Sequence, residues 1–68
     1  MQNIAKKISE RRRFLKIRQF DLAEMAGVSL RTIKAIEKGE ANPTLSTIKL
    51  ILNPLGLKLD VTNRITYE

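Results

Sequence analysis

Sixty-eight residues with a net charge of +6 and neither cysteine nor histidine make one small domain whose core is too small to be very stable alone. The composition leaves out a disulfide framework, a thiolate nucleophile, the common zinc ligand sets and an imidazole base, so no metal, no cofactor and no enzyme activity are expected. No apolar run approaches the length of a membrane span and the N-terminus is amphipathic instead of signal-like, so the expected location is cytoplasmic.

The charge is uneven. Residues 1–20 hold seven basic residues against Glu10, residues 21–42 sum to −1 and residues 43–68 to +1. A local basic excess suits a polyanion, nucleic acid first and an acidic membrane second, with a solubilising face as the plain alternative.

Helix 1 is predicted from residue 4 to about 15, on the stripe of Ile4, Ile8 and Leu15, which Arg11 and Arg12 interrupt. Helix 2 is expected from Gln19 to Ala26, with Leu22, Ala23 and Ala26 inward and Gly27 as a left-handed C-terminal residue. Ser29 is a good N-cap for helix 3, whose buried stripe is Ile33 and Ile36 and which Lys38-Gly39 ends. After the turn at Asn42-Pro43, Thr44 is placed to cap helix 4, with Leu45, Ile48, Ile51, Leu52 and Leu55 as core positions and Pro54 forcing an irregular end before Gly56.

The last segment changes period. Leu57, Leu59 and Val61 alternate with Lys58, Asp60 and Thr62, as in a half-buried strand. No strand precedes it, so the partner is expected in another copy or another protein, most simply the same strand of a second copy in a two-fold homodimer burying Leu50, Leu57, Leu59 and Val61; a tail that packs on helix 4 or frays is the alternative. The expected division is a domain at 1–56 and a dimerising strand and tail at 57–68.

Helix 2, a tight Gly27-Val28-Ser29 turn and a short helix 3 are the parts of a helix-turn-helix, with the motif at about 19–38. Its outward face presents Leu30, Arg31, Lys34, Ala35 and Lys38. Arg31 has the fork for guanine and Leu30 can pack on a thymine methyl, while Lys34 can reach a base or a phosphate. Ala35 allows a close approach, and Lys38 suits the backbone. Gln19 and Ser29 open helices and so suit phosphate oxygens. Arg18, Thr32 and Asn42 flank these positions and complete the candidate set. An ordinary solvated helix face is the alternative reading.

From Ile8 to Leu57 the chain resembles the Xre, or lambda-repressor-like, helix-turn-helix family. The likeness rests on Ile8 and Arg12, Gln19 with Leu22-Ala23, Gly27-Val28-Ser29, Thr32 through Gly39, and Asn42-Pro43-Thr44-Leu45 running to Leu55-Gly56. It implies an all-α, lambda-repressor-like fold of four helices and an ion pair between Arg12 and Glu37. Departures from the pattern are Phe20 and Met25 on helix 2, Lys16 where a glycine is common, and Arg11 where a leucine is common, which enlarges the basic patch. Phe20 either lies on Phe14 or Leu15 or marks a partner surface.

A strand in place of a fifth helix resembles the HipB-like antitoxin branch. That likeness implies a dimeric repressor of its own promoter, acting on palindromic double-stranded DNA, with a co-encoded toxin kinase as a further partner. A protein that chiefly neutralises a toxin through Phe20, Met25 or the tail is the alternative function, and binding of helix 1 to a membrane surface is a third.

Overall fold

The computed structural model describes residues 2–60 and 64–68. Four helices, α1 (Gln2–Phe14), α2 (Gln19–Ala26), α3 (Leu30–Glu37) and α4 (Leu45–Leu52), lead through a 3-10 turn at Asn53–Leu55 into an antiparallel pair of strands, β1 (Leu57–Leu59) and β2 (Ile65–Tyr67). One core, centred on the fully buried Ile8, Leu22, Ile33, Ile51, Leu52 and Leu55, joins all four helices.

The ends of the first three helices share one backbone device. After α2, Gly27 has φ 73° and the Val28 N–H reaches the Ala23 carbonyl at 3.0 Å; after α3, Gly39 has φ 75° and the Glu40 N–H reaches Ala35 at 3.0 Å. After α1 the left-handed residue is Lys16, at φ 58°, with the Ile17 N–H on the Arg12 carbonyl at 3.0 Å. A single left-handed residue bends the chain so that orphan carbonyls at the helix end are satisfied. Glycine adopts that conformation freely and lysine does not. The expected departure at Lys16 therefore has a geometric counterpart.

This turn also corrects the expected stripe of helix 1. The helix stops at Phe14, Leu15 is turned out to solvent, and Ile17, just past the left-handed residue, packs against the core instead. Helix 4 needs a similar correction. Its cap is Thr44, whose hydroxyl accepts the Thr47 N–H at 3.2 Å, but Leu45 is 54% exposed and burial begins one turn later at Ile48. Side chains lean toward the helix N-terminus, so a first-turn residue points off the end of the core. Pro54 lies in the 3-10 turn that finishes the helix.

The strand at Leu57 has a partner in its own chain. Register pairs Leu57 with Tyr67, Lys58 with Thr66 and Leu59 with Ile65, and Asp60 closes the hairpin by donating its N–H to the Arg64 carbonyl at 2.8 Å while its Oδ1 accepts the Arg64 N–H at 3.0 Å. The expectation that β1 needs a partner from another copy or another protein is thereby corrected: a partner strand lies downstream in the same chain. Leu57 is buried in the protomer's own core, with Leu59 and Ile65 packed partly against it. Leu50, which fits no core face, is 51% exposed, and Val61 falls outside the described residues.

Candidate nucleic-acid interface

The position of α3 is fixed from its inner side. Ile33 and Ile36 are buried beside Leu22, Ala23 and Ala26 of α2, each large aliphatic contributing about 1.5 to 3 kcal/mol of burial. One turn past Ile33, Glu37 meets Arg12 of α1 in a two-pronged pair, Nε to Oε2 at 2.7 Å and Nη2 to Oε1 at 2.9 Å. Nη1 donates to the Ile17 carbonyl at 3.0 Å, and Gln19 Nε2 donates to Glu37 Oε1 at 3.1 Å. Arg12 is only 9% exposed. Its guanidinium is held even more firmly protonated than usual, first by the hydrogen bonds to Glu37, with burial opposing and charge attraction adding. The polar interruption of helix 1 is a buried, satisfied pair, as the family resemblance implied.

The outer side of α3 carries the predicted contacts. Ser29 caps the helix, its hydroxyl accepting the Thr32 N–H at 3.0 Å and lying 2.8 Å from the Thr32 hydroxyl. The N–H groups of Leu30 and Arg31 have no protein acceptor among the described residues, which leaves them open to an anion at the positive end of the helix. Arg31, Lys34 and Lys38 are exposed and Ala35 is half-buried. Leu30 is less free than the sequence suggested. It is half-buried and packs against the core cluster, so only part of its surface faces outward.

Between α3 and the start of α4 runs a shallow groove of about 400 Å³. Arg31, Thr32, Ala35 and Asn42 line it together, so four of the predicted residues converge on one surface. Thr44 and Thr47 also line it and were not anticipated as contacts, although the Asn-Pro-Thr turn that places them was visible. Leu30 and Lys34 of the same helix and its caps Ser29 and Lys38 lie outside the groove. Arg18 and Gln19 are set apart at the start of α2. Arg18 grips Asp21 with Nε to Oδ2 at 2.8 Å and Nη2 to Oδ1 at 3.0 Å, and its backbone N–H also reaches Oδ2 at 3.1 Å. Those bonds hold the Asp21 carboxyl below its usual range.

A helix-turn-helix family model matches residues 4–61. The chain belongs to the Xre-like helix-turn-helix family. A relative from Haemophilus influenzae, described as an uncharacterized HTH-type transcriptional regulator, is 38% identical over 58 residues, which cover 85% of this chain and 59% of that protein. The chain thus spans little more than half the length of the relative it matches. No solved structure matches. Among the described residues, no helix is long and apolar enough to cross a membrane.

Proposed function

We propose that the protein is a sequence-specific, DNA-binding transcriptional regulator that lays α3 in the major groove. The observation that carries this reading is the division of α3 into two faces: Ile33, Ile36 and Glu37 lock it to α1 and α2, while Arg31, Lys34 and Lys38 project away from the core. Arg31 reads a guanine through its paired N–H groups, Lys34 a base or phosphate, and Lys38 the backbone. Ser29 and the open N–H groups behind it, together with Thr32, Asn42 and Arg18, position the duplex. Gln19 contributes by orienting Glu37 and has a second amide hydrogen for a phosphate. Leu30 adds apolar contact through the part of its side chain left outside the core.

The finer reading is a homodimeric repressor on a palindromic operator, of the HipB-like antitoxin type. Leu50, Leu57 and Leu59 line one groove of about 370 Å³ beside α4 and β1, and this juxtaposition supports a two-fold interface there, made by side chains and not by the strand pairing first expected. The exposed Phe20 and Met25 of α2 favour a second activity, the holding of a co-encoded toxin. Selection of bound duplexes from a random pool tests the main reading. A palindrome with half-sites about 34 to 36 Å apart is expected; recovery of unenriched sequence overturns it. Co-purification with the product of a neighbouring gene tests the toxin reading.

A further inference from the structure

Two neighbouring stripes of α1 do different things. Ala5, Ile8 and Arg12 face the core and α3, whereas Lys7, Glu10, Arg11 and Phe14, at the spacing of one helix face, border a groove of about 630 Å³ whose far side is the hairpin. Arg11 lies in this groove. Its guanidinium carbon sits 5.3 Å from the centre of the Phe14 ring and 5.0 Å from that of Tyr67, and its Nε donates to the Leu55 carbonyl at 3.0 Å. Among the described residues no carboxylate pairs with it and its terminal amino groups have no acceptor. A guanidinium fixed in this way loses little freedom when it takes a forked carboxylate.

The wall opposite is a strand edge. The Glu68 N–H bonds to the Gly56 carbonyl and the Asp60 N–H to the Arg64 carbonyl, so by the alternation of an antiparallel ladder Lys58 and Thr66 form the bonded pair between them. The N–H and C=O groups of Ile65 and Tyr67 therefore point away from β1, and among the described residues no backbone group meets them. All three residues of β2 line the groove, as expected where a strand presents its edge and not one face. Lys7 and Arg13 add positive charge, and Glu10 is the one acidic residue among the described residues that line the groove.

We propose that this groove binds an extended acidic segment of a partner protein, one carboxylate forked onto Arg11 and the backbone running along the free edge of β2. A second copy of this chain suits it poorly: it would bring another set of helix 1 cations to the same place, and its own strand at Ile65–Tyr67, flanked by Arg64 on one side and Glu68 on the other, offers no net negative charge. Duplex DNA suits it poorly as well, since backbone phosphates only accept hydrogen bonds and would leave the C=O groups of Ile65 and Tyr67 unmet. The proposal does not depend on the DNA-binding reading.

The test uses the full chain and a short labelled peptide in which Glu alternates with Val and Thr, with binding followed by fluorescence polarisation and the oligomeric state by sedimentation. The peptide should bind, and two analogues, one with Gln for Glu and one N-methylated at alternate residues, should each bind about tenfold or more weakly, since each loses one class of contact. Arg11→Lys should weaken binding of the acidic peptide about tenfold, with thermal unfolding checking the fold; should that variant unfold, the analogues decide the matter on the unaltered protein. Saturating duplex DNA should leave the peptide bound. Failure of the acidic peptide to bind, equal binding of all three peptides, displacement by DNA, or a self-assembled dimer that shuts the peptide out would each overturn the proposal.

Discussion

Arg11 and Arg12 are consecutive residues of one helix, yet they tie it to opposite halves of the molecule by different physics. Arg12 reaches the recognition half and is buried against a carboxylate, two of its bonds going to Glu37. Arg11 reaches the C-terminal half, half-exposed, and is held by one carbonyl and two aromatic rings, Phe14 at 73% and Tyr67 at 70% exposure. Breaking a buried, matched ion pair leaves an orphaned charge, whereas breaking the contacts of a cation that keeps access to water leaves a solvated one, so the second costs less although it also holds its side chain in place. The half that carries α3 is thus held rigidly, and the hairpin is fastened by contacts that each cost less to break.

The comparison breaks most visibly at Glu37. Glu37→Ala leaves Arg12 buried without its partner and should cost about 3 to 5 kcal/mol, enough to unfold much of so small a domain; urea unfolding that shifted by less than about 1 kcal/mol would reverse the assignment of the rigid half. Arg11→Ala should cost less, about 1 to 2 kcal/mol. Hydrogen exchange should then quicken at the amides of Thr66 and Glu68 while those of α3 keep their protection. Equal acceleration in both halves would show that the two arginines do the same job.

The same contrast explains what was legible in the sequence. The bounds of α2 and α3 and the caps at Ser29 and Thr44 were readable because glycine, serine and threonine at helix ends act locally. The Arg12–Glu37 pair was legible only through the family resemblance, since periodicity alone marks Arg12 as a fault in the stripe. The C-terminal half was read less well. β1 was legible from the alternation that continues past it to residue 62, but β2 offers only three residues, too few for a period to be measured, and it went unnoticed although Asp60 and Arg64 punctuate two runs rich in aliphatic, β-branched and aromatic residues. Without β2, Leu57 and Leu59 appeared to need a second copy, and Arg11 appeared to be part of a basic patch instead of a fastening. Leu30 was misjudged for a similar reason: how far a residue at a helix start leans on the core depends on tertiary packing.

Two smaller effects sharpen the picture of α1 and its exit. Lys16→Gly should stabilise the fold by about 0.5 to 1 kcal/mol, the relief of the left-handed conformation exceeding the added freedom of the unfolded chain. A higher melting temperature is the check. Smallest of all is the effect of Asp21. Its carboxyl lies below the ordinary value of 3.8 because Arg18 hydrogen-bonds it, so its contribution to stability is present above that value and is lost as the pH falls through the lower folded value. Asp21→Asn should therefore flatten the acid limb of the stability profile slightly, while leaving stability near neutral pH little changed.

Whether the outer face of α3 reads sequence is decided by comparing Arg31→Ala with the unaltered protein on a selected site and on random duplex DNA. A loss of about 1 to 3 kcal/mol is expected on the selected site, confined to one base position in each half-site, with a much smaller loss on random DNA. Equal losses on both would contradict it, for Arg31 would then be one more phosphate contact and α3 would position the protein without reading the sequence.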